Sequence, residues 1–161
     1  FCCENNRYAM GTRLSHEHAR TDLALRASSY GMAAWAVDGM DVLAVEDSAR
    51  QAAEAIRNGA GPHFLEMRTY RFRAHSMYDP DRYRDKVEVQ HERERDPIAL
   101  LADRMRADGE LTDEQLAAIE AEVAGEVAAS VAFADAAPFE DVKDLTRFVC
   151  ADPVAGQGGA S

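Results

Sequence analysis

At 161 residues, 47% of them hydrophobic, the chain has enough length and apolar content for one domain with a real core, and it is no disordered polymer. Its net charge of −11 argues against nucleic acid as a partner: residues 1–107 carry 17 acidic and 16 basic side chains, whereas residues 108–161 carry 12 acidic and 2 basic. Three cysteines, two of them adjacent at Cys2 and Cys3, offer no metal-ligand spacing and no disulfide framework, and no apolar run approaches the length of a bilayer span.

The first residues read as a short apolar strand that delivers its carboxyl end into Glu4-Asn5-Asn6, a turn rich in hydrogen-bonding groups. Taken locally, that is an Asx turn. Thr21 caps a predicted helix with Leu23, Ala27 and Tyr30 on one face, ended by Gly31. Ala34-Trp35-Ala36-Val37 follows as a buried strand. Asp41 then caps a helix with the stripe Val42, Val45, Ala49, Ala52, Ala53 and Ile56, stopped by Asn58-Gly59. A third strand is expected from Phe64 to Tyr70. Short strands alternating with helices predict an α/β fold built from parallel βαβ units.

After Tyr70 the periodicity stops in a polar loop, residues 71–80, and only helices are expected beyond it. Asp96-Pro97 opens one, with Ile98, Leu101 and Met105 on a face and Gly109 as its end. Thr112-Asp113-Glu114-Gln115 is a capping box for another, whose narrow stripe of Leu116, Ile119, Val123, Val127 and Val131 calls for a neighbour to cover it. From Ala151 small residues and proline predominate, predicting a loose tail; Gly156-Gln157-Gly158-Gly159 lacks the flanking strand and helix of a phosphate loop. Among the histidines, His16, His18, His63 and His91 read as solvated. His75 stands apart because its loop leaves a strand at the same sheet edge as Asn6, and a histidine can donate or accept within one reaction cycle.

Glu4-Asn5-Asn6-Arg7-Tyr8-Ala9-Met10-Gly11-Thr12 resembles the second half of the thiamine diphosphate motif in pyruvate dehydrogenase alpha subunits, the decarboxylating component of 2-oxo acid dehydrogenase complexes. Thr69-Tyr70-Arg71-Phe72-Arg73-Ala74-His75-Ser76-Met77-Tyr78-Asp79-Pro80 is similar to the active-site loop of the same family, and the likeness extends in order and spacing from residue 1 to about 134. Ala74 departs from the common glycine, and Arg13 and Tyr78 stand where some relatives have serine.

The resemblance implies a thiamine diphosphate-binding fold, a parallel sheet with flanking helices. It implies magnesium held by the Asn6 side chain and the Tyr8 carbonyl, both hard oxygen donors, with Asn6, Tyr8 and His75 at the cofactor. His75 is the catalytic candidate. The family's aspartate ligand lies in a Gly-Asp-Gly, a triplet this chain lacks, so the chain is expected to be the carboxyl-terminal part of a longer alpha subunit and inactive alone. Residues 1–95 would belong to the cofactor domain, 96–136 to a helical extension packing on it, and 137–161 to a poorly ordered tail. The implied reaction is oxidative decarboxylation of pyruvate with acetyl transfer to lipoamide. The implied partners are a beta subunit, completing a heterotetramer, and the lipoyl domain of the acyltransferase. The setting would be bacterial cytoplasm, or the mitochondrial matrix in a eukaryote. A branched-chain 2-oxo acid or acetoin dehydrogenase alpha subunit is the alternative within this chemistry, and a catalytically inactive interaction module the alternative outside it.

Overall fold

The computed structural model describes residues 1–149, which divide into two compact units, the first Phe1–Thr112 and the second starting at Asp113. The first is built on a three-stranded parallel sheet of β1 (Cys2–Asn5), β4 (Ala33–Asp38) and β5 (His63–Arg68), in the order β1-β5-β4. Between β1 and β4 lie a minimal hairpin, β2 (Tyr8–Ala9) with β3 (Thr12–Arg13), and helices α1 (Leu14–Glu17) and α2 (Leu23–Ser28). Helix α3 (Val42–Arg57) crosses from β4 to β5, as parallel pairing requires. Register is continuous: Asn5 lies opposite Arg68, and Asp38 lies opposite Arg68 on the other side, so all three strands end at one edge.

The core forms where β4 and β5 face α3. Val37, Leu65, Met67 and Ala52 are buried together, with Trp35, Ala44 and Val45 packed against them. The expected α3 stripe is therefore rotated: Val42 and Ile56 stay 41% and 46% exposed, because the face that meets the sheet runs through Ala44, Val45, Ser48 and Ala52. Its cap is as expected, with Asp41 accepting from the Leu43 and Ala44 amides. The cap of α2 is Asp22 rather than Thr21, since the Asp22 carboxylate takes the Leu25 amide at 2.8 Å. That helix buries Ala24 and Ala27 and stops at Ser28, leaving Tyr30 beyond its end and 77% exposed. His63, expected in solvent, is 6% exposed, its ring edge-on to Trp35 and Nδ1 3.1 Å from the Gly61 carbonyl. His16 and His91 are exposed and His18 is half-buried.

Beyond the polar loop come α4 (Lys86–Arg93), absent from the sequence reading, and α5 (Pro97–Ala107). Asp85 and Asp96 cap them. Gly39 occupies a place no side chain could: a Cβ there would lie 2.5 Å from Thr69 Cγ2 and 3.0 Å from the Arg68 carbonyl oxygen. The second unit, described by itself, contains α6 (Asp113–Ala136) and a 3-10 turn at Val142–Asp144; α6 buries none of its residues, and Ile119, Val123, Val127 and Val131 are 52–57% exposed. Of the tail expected to be loose, residues 150–161 lie outside the described residues, and so does the Gly156-Gln157-Gly158-Gly159 stretch. Among the described residues no helix is long and apolar enough to cross a membrane.

Leu65, 3% exposed at the centre of the sheet, sets the scale of this small core. Leu65→Ala is expected to cost about 2–5 kcal/mol through lost burial and a residual cavity, read as a lower midpoint in urea.

Candidate functional site

The carboxyl edge of the sheet feeds two loops. Leaving β1, the consecutive asparagines make overlapping Asx turns: Asn5 Oδ1 accepts from the Arg7 amide at 3.2 Å, and Asn6 Oδ1 accepts from the Tyr8 amide at 3.0 Å. Arg7 within them has φ 70°, and Met10 at the hairpin turn has φ 52°. Such left-handed conformations cost a non-glycine residue roughly 1–2 kcal/mol each, and surrounding contacts must hold them. For Arg7 those contacts are an ion pair with Glu92 at 2.6 Å and the face of the Tyr70 ring.

Tyr8 is 7% exposed, with its ring against Tyr70 and Tyr83 at centroid distances of 6.3 and 5.6 Å. Its hydroxyl donates to Glu88 Oε1 on α4 at 2.9 Å, which also receives the Tyr70 hydroxyl at 3.1 Å, while Arg13 donates to Glu88 Oε2 at 2.5 Å. Burial, followed by the bond to Glu88 and that group's charge, pushes the Tyr8 phenol up to about 12. Burial alone would raise the Glu88 carboxyl, but the bonds from Arg13, Tyr8 and Tyr70 outweigh it and hold the group below its ordinary 4.5.

The second loop, leaving β5, is laced by side chains rather than by secondary structure. Asp79 accepts from the Tyr83 hydroxyl at 2.7 Å, the Asp81 amide at 2.9 Å and the His75 amide at 3.0 Å. The Tyr83 bond first, then the Asp81 amide, lowers the Asp79 carboxyl from its ordinary value. Arg84, its side chain wholly buried among the rings of Tyr8, Tyr70 and Tyr83, pairs with Asp81 at 2.6 Å and donates to the Arg71 carbonyl.

One residue ties the loops together. Arg71 donates through Nη2 to the Met10 carbonyl at 2.6 Å and to the Tyr83 hydroxyl at 3.1 Å, and its Nη1 lies 3.2 Å from His75 Nδ1. A guanidinium only donates, so Nδ1 accepts, and neutral His75 carries its proton on Nε2. The Gly11 position reinforces the junction, since a Cβ there would sit 3.0 Å from the Tyr83 ring. Asn6, Tyr8 and His75 thus stand on two loops bonded to each other at one edge of the sheet, with His75 exposed to solvent and Asn6 partly so. The supporting residues Glu88, Arg71, Tyr83 and Arg84 were not singled out from sequence; Asp85, a capping residue ahead of Val87 and Val89, was the available sign of α4.

Residues 1–143 match the family model described as Dehydrogenase E1 component. The chain belongs to that family. The dehydrogenase E1 component of Rhizobium meliloti (strain 1021) named pyruvate dehydrogenase E1 component subunit alpha is 48% identical over 146 residues, covering 90% of this chain and 42% of the relative. The same-named subunit of Zymomonas mobilis is 40% identical over 146 residues, 90% of this chain and 41% of the relative. The mitochondrial somatic form from Sus scrofa is 40% identical over 164 residues, 100% of this chain and 42% of the relative. The chain spans less than half the length of these dehydrogenase E1 relatives.

The family depends on thiamine diphosphate, and a divalent ion such as magnesium beside a diphosphate would need hard oxygen donors. Asn6 Oδ1 has given one lone pair to the Tyr8 amide and retains a second, and an uncharged hard oxygen at a partly exposed loop suits that ion. Among the described residues no group of three or more His, Cys, Asp or Glu side chains could hold a metal ion.

Glu88 makes the hairpin anchor sensitive to acid. Because its folded value is depressed, its contribution to stability is complete above 4.5 and is lost as pH falls through the folded value. Glu88→Gln should therefore melt below the parent protein at pH 7, and the gap should close as thermal scans move below pH 4.5.

Proposed function

We propose that this chain is part of the alpha subunit of a pyruvate dehydrogenase, a thiamine diphosphate-dependent oxidoreductase that decarboxylates pyruvate and passes the acetyl unit to lipoamide. The observation that carries the reading is Arg71. Its side chain bonds the Met10 carbonyl in the asparagine loop and reaches His75 in the other, so the residues proposed for metal binding and for acyl transfer share one support. The relatives' names supply the substrate, pyruvate, and the subunit type.

In this reading Asn6 Oδ1 and the Tyr8 carbonyl contribute to the magnesium site. The cofactor, when bound, supplies the carbanion chemistry of decarboxylation, and the chain's residues bind, orient and exclude water. His75, with Nε2–H outward from its Arg71 contact, donates or accepts a proton at the acyl-transfer stage. A beta subunit completes the site, and a lipoyl domain enters past residues 71–80. The exposed stripe of Ile119, Val123, Val127 and Val131 on α6 is then a surface for another subunit to cover.

The test uses the alpha subunit containing this chain, assembled with its beta subunit. His75→Ala should lower acetyl transfer to lipoyl domain by roughly a hundredfold or more, the range for a lost proton-transfer group, with decarboxylation measured by an artificial electron acceptor falling no further. Wild-type acetyl transfer in this variant would remove His75 from the reaction.

A further inference from the structure

Glu66 is 0% exposed, the most deeply buried of the described residues, and it is a carboxylate. It sits on β5, two residues before the sheet edge, and every partner it has is a donor: Asn5 Nδ2 to Oε1 at 2.7 Å, Arg68 Nε to Oε1 at 3.3 Å, and the Ala24 amide in the first turn of α2 to Oε2 at 3.3 Å. An ionised carboxylate has only acceptors, so this pattern satisfies it, and burial of such a group without those donors would be costly.

We infer that Glu66 is a positioning residue for the magnesium-binding loop, acting through Asn5; this rests on the reading of Asn6 as a metal ligand. By taking Nδ2, Glu66 decides which way the Asn5 amide faces and leaves Oδ1 for the Arg7 amide. That bond helps keep Arg7 at φ 70°. Arg7 precedes Tyr8, whose amide in turn holds Asn6 Oδ1. If the Asn5 bond is lost, only the side-chain contacts to Glu92 and Tyr70 still oppose relaxation of Arg7 toward an ordinary φ, a change that swings the Arg7–Tyr8 peptide and moves Asn6 Oδ1 and the Tyr8 carbonyl with it. The apolar packing of β5 does not require a polar group at this position, whereas Asn5 Nδ2 requires an acceptor there.

The contact can be inverted to test this. Asn5→Asp sets two carboxylates against each other and abolishes the donor. Adding Glu66→Gln restores that contact: the new carboxamide at position 66 donates to one oxygen of the new carboxylate at position 5, while Arg68, its side chain 57% exposed, exchanges its bond to position 66 for water. The other oxygen of that carboxylate still accepts from the Arg7 amide, and the carboxamide oxygen still accepts from the Ala24 amide. In the assembled enzyme, with thiamine diphosphate present, magnesium binding is measured by calorimetry and the melting temperature is recorded beside it. Asn5→Asp should raise the half-saturating magnesium concentration about tenfold, the scale of one lost hydrogen bond at a site left with a buried mismatch. The double variant should return it to within about twofold of the parent, or tighter. A lower melting temperature with unchanged magnesium affinity in Asn5→Asp would make the contact merely structural and overturn the inference, as would a double variant that does not recover. If Asn5→Asp does not assemble, the double variant must assemble and bind magnesium like the parent; its failure also overturns the inference. Asn6→Ala is run alongside: normal magnesium affinity there sinks the metal-ligand reading itself, whereas weak binding there with normal binding in Asn5→Asp sinks only the role of Glu66.

Discussion

A buried carboxylate must be met by donors, and in this chain that demand organises the edge of the sheet. Glu66, Glu88 and Glu92 are each drawn inside or nearly so, and each takes donors from residues 5–24, namely Asn5 and the Ala24 amide, Tyr8 and Arg13, and Arg7, with Arg68 and Tyr70 adding one each to Glu66 and Glu88. The apolar core under β4 and β5 holds the sheet together but does not reach these loops. Their shape comes from polar contacts, which specify orientation as well as proximity because each bond has a direction and a required partner.

Such a loop junction differs from one made of apolar contacts. A leucine cluster would tolerate small rotations, but an arginine that must reach a carbonyl, a hydroxyl and an imidazole at once tolerates few. Arg71 does this between the two loops, while Arg84 fills the space under the tyrosine rings that an aliphatic side chain would otherwise occupy. The left-handed conformations at Arg7, Met10 and Asp81 are confined to these segments, as expected where polar contacts overrule local preference. Family membership is consistent with that concentration of constraint at the loops rather than in the helices.

Strand and helix positions were legible wherever a local rule operated. The strand around Ala34–Val37, the Asp41 and Asp96 caps, and the helix ends at Asn58-Gly59 and Gly109 all follow from side chains acting within a few residues of themselves. Asn5 and Asn6 were legible as an Asx turn for the same reason. The buried face of α3 was not, because Val42 and Ile56 look as apolar as Val45 and only the approach angle of the sheet chooses between them. Helix α4 was missed because residues 86–93 are mostly polar and their helical state depends on Glu88 and Glu92 reaching partners about 80 residues earlier.

The sequence alone therefore determined the α/β class, the order of the three sheet strands and of α2, α3, α5 and α6, and the two segments that carry Asn6, Tyr8 and His75, since these rest on periodicity, capping and motif. Only the tertiary structure decided that the loops are joined through Arg71, that Glu66 is wholly buried, and that Tyr8 and Arg13 close onto Glu88. The physical reason is that those partners are 42 to 85 residues apart in the chain or meet only after parallel strands align, and no local rule carries information about which distant donor a buried carboxylate will find.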